Sequence, residues 1–87
     1  MLQEFVGQVV VIDLRSTFVA IGTLQKFDEL YLELSDADLH DLRDTETTRE
    51  LYVVESAMTG IKRNRRRILV VRTEVVAVSG LDDVVDE

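Results

Sequence analysis

The chain has no cysteine and no proline, one histidine and five aromatic residues among 87. Without cysteine there is neither a disulfide framework nor a thiolate metal site, so the staples of small secreted domains are missing and a reducing compartment is expected. Without proline, and with abundant Val, Leu and Ile, the sequence reads neither as a stiff linker nor as disordered. Few aromatics leave a mostly aliphatic core. No apolar run approaches the roughly 20 residues needed to cross a bilayer. The opening MLQEFVGQ lacks the basic and apolar regions of a signal peptide, so the expected location is the cytoplasm.

Chemistry-bearing groups are equally sparse. The single histidine, His40, sits in the acidic stretch DADLHDLRD and reads as a surface residue; that stretch lacks the pattern of an EF-hand loop, and no glycine-rich phosphate cradle occurs. No enzymatic activity, cofactor or metal site is expected. A net charge of −7 opposes non-specific binding of polyanions, so only a local patch can reverse it.

What remains is one domain, 1–87, of the size where a single core just suffices. In GQVVVIDL, Val10, Ile12 and Leu14 alternate with Val11 and Asp13, predicting a strand with one buried face. FVAIGTLQKF resumes the pattern, with Gly22 marking a bend, a bulge or a close backbone approach. Phe27-Asp28-Glu29 is a turn, and Tyr31 to Leu34 alternate again. SDADLHDLRDTE reads as a solvated loop. In TTRELYVVESAMTG, Thr47 and Glu50 fit a capping box, Leu51, Val54 and Met58 share a helical face and Gly60 suits the C-terminus, predicting a helix of about three turns; the competing assignment makes ELYVVE a strand. ILVV and VVAV, joined at Arg72-Thr73-Glu74, complete five strands, and an acidic tail covers about 82–87.

Five of the ten basic residues, Lys62, Arg63, Arg65, Arg66 and Arg67, fall within six positions. Such a run is a candidate phosphate-binding patch; the competing use is pairing with acidic segments such as DLHDLRDTETTRE or DDVVDE. The valine-rich strands also present edges on which another chain can pair.

These residues together resemble the Sm-like family, the Sm and LSm proteins and their bacterial Hfq-type relatives. The resemblance rests on Gly7, Val10, Ile12, Leu14, Gly22, Leu24, Phe27 and Asp28, with Val71-Arg72-Thr73 in place of the family's Ile-Arg-Gly turn, and covers about 2–38 and 67–81. It implies a mainly β fold: a strongly bent five-stranded antiparallel barrel with a short N-terminal helix at LQEFV and, here, an insertion of about 38–67 carrying the helix between strands 3 and 4. It also implies a homo-oligomeric ring of six or seven subunits that binds single-stranded RNA. Lys62, Arg63, Arg65, Arg66 and Arg67 would contact phosphates, Arg72 would lie on the pore side, and Tyr31 would offer a stacking surface. The Met-Asn pair that recognises uracil in Sm proteins is absent, since Asp28 is followed by Glu29, Leu30 and Tyr31, so weak base specificity is expected. The alternatives are a protein-interaction scaffold without nucleic acid, Tyr31 as a plain strand residue, Arg72 paired with Asp28, and a monomer or dimer whose edges the helix covers.

Overall fold

The computed structural model describes residues 1–86. Five strands, β1 (Val9–Leu14), β2 (Phe18–Phe27), β3 (Tyr31–Asp41), β4 (Arg65–Val71) and β5 (Val75–Gly80), form one sheet of order β4-β3-β2-β1-β5, antiparallel throughout. The expected N-terminal helix is a single 3₁₀ turn, Leu2–Phe5, whose Leu2 and Phe5 pack on the core. Gly7 follows at φ +88°, and its N–H donates to the Leu24 carbonyl at 2.8 Å, tying that turn to β2.

The bend lies at Gly22, as the sequence suggested. A Cβ there would stand 2.9 Å from the Ala37 Cβ and 3.1 Å from the Ser35 carbonyl oxygen, so β2 and β3 approach more closely than any side chain allows. The register slips between Ile21 and Thr23, opposite Asp36, which adopts φ +48°. This bulge inverts the parity of β3: Leu32 and Leu34 face the inside of the curl before it, Ala37 after it.

The stretch read as a solvated loop is therefore mostly strand. Ser35 to Asp41 continue β3 and pair with β2 as far as Phe18, and the segment between β3 and β4 is 42–64 rather than 38–67. Nor is β1 buried on one face alone. Val10 and Ile12 join Leu24, Leu32, Leu34 and Val70 inside the curl, whereas Val11 packs outside with Val19, Ile21, Tyr52 and Val53.

The outer cluster exists because of helix α1 (Arg49–Thr59). Its N-cap is Thr48, whose Oγ1 accepts the Leu51 N–H at 3.2 Å, one position later than the expected Thr47, so Glu50 closes no capping box. Gly60 ends the helix at φ +100°. The buried face is Tyr52, Val53 and Ser56, while Leu51 and Met58 of the expected face are 55 % and 74 % exposed. The sheet selects the side that offers a hydroxyl: Tyr52 donates a short hydrogen bond to Asp38, a carboxylate buried on β3.

Candidate nucleic-acid interface

β4 and β5 end the sheet on opposite sides, and β3 and β1 are their only strand partners among the described residues. Each edge is apolar where it is free. Leu69, Val71 and Val76 are 48 %, 48 % and 65 % exposed, and a groove of about 410 Å³ between Leu14, Phe18, Leu39, Ile68, Val70 and Glu74 opens from the inside of the curl. Exposed edge N–H and C=O groups beside such side chains form a template for a further strand.

At one end of β4, the β2–β3 turn is built by Asp28. Its Oδ1 accepts the N–H groups of Tyr31 at 2.7 Å and Leu30 at 2.8 Å, and these bonds, aided by nearby Arg72 and Lys26, hold its carboxyl below the usual aspartate range. Arg72, in the 3₁₀ turn Arg72–Glu74, donates to the Asp28 carbonyl at 2.5 Å and stands 5.8 Å over the Phe27 ring. The expected alternative of an Arg72–Asp28 pair is thus modified: the arginine closes the two hairpin ends through the backbone carbonyl. Tyr31 opens β3 at 40 % exposure and lines a shallow cleft of about 320 Å³ with Lys26, Phe27, Glu33, Arg67 and Leu69.

At the other end lies the basic run. Arg65, Arg66 and Arg67 begin β4, which starts three residues earlier than the apolar ILVV suggested, and Lys62 and Arg63 lie just before it, outside any helix or strand. Alternation splits the three arginines between the two faces of the strand. Arg67 pairs with Glu33, Nη2 to Oε1 at 2.7 Å and Nε at 3.0 Å, a partner in neither acidic segment named from the sequence. Among the described residues Lys62, Arg63, Arg65 and Arg66 form no ion pair; Arg65 donates only to the Asn64 carbonyl, at 2.9 Å.

Asn64, inside the run, was not singled out from the sequence, yet it fixes where the run lies. Its N–H donates to the Ala37 carbonyl at 2.9 Å, its Oδ1 accepts the Leu39 N–H at 3.0 Å, and its Nδ2 donates to the Leu39 carbonyl at 3.0 Å and to Asp38 Oδ1 at 3.2 Å. One amide so extends the β3–β4 ladder and saturates the carboxylate that also anchors α1 through Tyr52. The only signal in the sequence was an uncharged amide among cations.

Arg49 is the second residue the sequence did not reveal. From the first turn of α1 it donates to the carbonyls of Phe18 and Ser16 at 3.0 Å each, and lies 3.6 Å from Asp13. His40, expected at the surface of a loop, is on β3 and half-buried, its ring stacked on Tyr52 with centroids 4.0 Å apart. No three His, Asp or Glu side chains converge as a metal-binding group among the described residues.

The seven expected contact residues therefore do not form one site. Tyr31 and Arg72 lie at one end of β4 and Lys62, Arg63, Arg65 and Arg66 at the other, about 20 Å away along a strand of this length. Arg67 borders the Tyr31 cleft from between them.

No family model matches the sequence, and a search of curated proteins finds no relative. Solved structures do match. The Sm protein of Pyrococcus abyssii, in complex with a uridine heptamer, superposes with a TM-score of 0.61 at 19 % identity over 90 % of this chain and 89 % of that one. A heptameric archaeal Sm protein gives 0.60 at 24 % identity, covering 91 % and 93 %. An Sm-like protein of Archaeoglobus fulgidus gives 0.61 at 16 % identity, covering 92 % and 88 %. The chain has the Sm-like fold, with an α-helix between the third and fourth strands.

Proposed function

We propose that this chain assembles through β4 and β5 into a homo-oligomeric ring of six or seven copies and binds single-stranded RNA, chiefly through backbone electrostatics. Binding, not catalysis, is the activity, and the cytoplasm is the proposed compartment; no described helix is long and apolar enough to cross a membrane. The observation that carries the reading is the set of unpaired cations Lys62, Arg63, Arg65 and Arg66, held in place by Asn64 in a chain of net charge −7. Repeated around a ring they make a positive annulus on an acidic body, suited to a phosphate backbone.

Arg67 and Tyr31 flank the cleft nearest that annulus, and Arg72 is the pore-side contact. Tyr31 offers a ring for base stacking, worth about 1–3 kcal/mol per base. One structural neighbour is heptameric and another holds a uridine heptamer, which supports both halves of the proposal.

The test is binding of short single-stranded RNAs across salt by wild type and by Arg65→Ala/Arg66→Ala/Arg67→Ala. Wild type should bind at low salt with a log–log slope of about −0.7 per phosphate contact, and the triple variant should lose affinity and flatten the slope. Absence of binding at low salt overturns the RNA reading. A second reading, a ring that serves as a protein-interaction scaffold, is favoured by the turn itself: Asp28 is occupied by backbone N–H groups and Arg72 by the Asp28 carbonyl. An intact ring that binds no RNA at low salt is its signature.

A further inference from the structure

We propose that the basic run is also one half of a charge latch between subunits, in which Arg65 and Arg66 at the start of β4 meet Asp82 and Asp83 just beyond β5 of the next copy. The inference rests on the ring reading above and adds to it a specific seam.

The direction of pairing follows from rotation. A ring that gathers every 72–74 turn at one rim brings the end of each β4 and the start of the neighbouring β5 to that rim, so the two strands run antiparallel. With seven and six residues they overlap almost fully. Facing then restricts the register, because a slip of one residue turns every side chain to the wrong side. Ile68 and Val70 face the inside of the curl, as does Val78. Setting Ile68 opposite Val78 sets Arg66 opposite Gly80, and carries Arg65, Asn64 and Arg63 past the end of β5 alongside Leu81–Asp83.

What waits there is negative charge. Asp83 folds back over Gly80, its Oδ2 2.9 Å from the point a Cβ would occupy, so a carboxylate stands at the position facing Arg66. Asp82 is exposed beside it, and neither forms an ion pair among the described residues. Two unpaired arginines and two unpaired aspartates, each set at one end of a free edge, are complementary only between copies. An acidic chain also needs such a device, since copies of net charge −7 repel one another. The latch does not exclude RNA: a guanidinium has five donors, enough for a carboxylate on one edge and a phosphate on the other.

Salt titration alone decides little here, because salt weakens the latch and the repulsion together. A charge swap separates them. Arg65→Glu/Arg66→Glu and Asp82→Lys/Asp83→Lys chains, checked for native circular dichroism, are sedimented separately and mixed at low salt. Each alone places like charges across every seam, so the concentration for half-assembly should rise about tenfold or more. In the equimolar mixture alternating chains restore opposite charges at every seam of a ring of six and at all but one of a ring of seven, so the mixture should assemble at lower concentration than either chain alone. Variants that assemble like wild type, or a mixture no better than its parts, overturn the latch and leave the ring standing; a monomeric wild type removes both. Should the swapped chains fail to fold, an Arg65→Cys chain mixed with an Asp82→Cys chain gives the same answer, as the protein has no other cysteine. A bis-maleimide whose span matches an arginine side chain should yield a covalent dimer only in the mixture, since a direct disulfide would demand a closer approach than an arginine–aspartate pair does, and absence of that product overturns the latch.

Discussion

Replacing Gly22 by alanine adds one methyl group where β2 crosses β3. The new Cβ would meet the Ala37 Cβ at 2.9 Å, the Ala37 Cα at 3.0 Å and the Ser35 carbonyl oxygen at 3.1 Å. Two of these are backbone atoms, so no rotamer change relieves them, and β3 itself must move at the bulge that holds Asp36 at φ +48°. Overpacking of this kind costs about 1–3 kcal/mol. Alanine recovers about 0.4–1 kcal/mol by restricting the unfolded chain. The net loss is about 1–2 kcal/mol, a large share of the total stability of a small domain. At about 4–8 °C per kcal/mol for this size, Tm should fall by roughly 5–15 °C in thermal melts run at one fixed protein concentration. Adding Ala37→Gly removes the Cβ contact but not those to Cα and carbonyl, so the double variant should recover only part of the loss. A Gly22→Ala chain that melts at or above wild type would refute the claim that the curl depends on this close approach.

Arg49→Ala should strip the β1–β2 turn of its two 3.0 Å donors and cost about 2–3 kcal/mol in urea unfolding, with Arg49→Lys a poor substitute because one ammonium cannot span both carbonyls. Tyr52→Phe leaves buried Asp38 with Asn64 as its side-chain donor and should cost about 1–3 kcal/mol, read as a lower urea midpoint at pH 7. Asp41, held well below the usual aspartate range by the Arg43 side chain and N–H and by the Thr17 hydroxyl, contributes stability that is present above its unfolded pKa and lost as pH falls through the folded one. The urea midpoint should therefore drop below about pH 4, and drop less steeply in Asp41→Asn.

The sequence showed most clearly the parts governed by simple periodicity and by glycine. β1, the first half of β3, the Gly22 bend and the tight 72–74 turn follow from period 2 and from what a missing Cβ permits. The second half of β3 was hidden because the bulge at Asp36 breaks the alternation by one residue, and Asp36, Asp38 and Asp41 together look like solvent-facing loop. The face of α1 was misread because apolar spacing favours Leu51, Val54 and Met58, whereas burial followed a long-range partner, the Asp38 carboxylate meeting the Tyr52 hydroxyl. Asn64 and Arg49 escaped notice for the same reason: their roles are hydrogen bonds to backbone more than 20 residues away. The basic run was visible as charge, but its division between two strand faces and its distance from Arg72 required the position at which β4 begins.

The annulus, the cleft and the latch all depend on the free edges of β4 and β5 joining copies of the chain, and the mass in solution reports on that joining. Sedimentation equilibrium at micromolar concentration should give six or seven times 9.9 kDa. A species of 9.9 kDa under those conditions would contradict it.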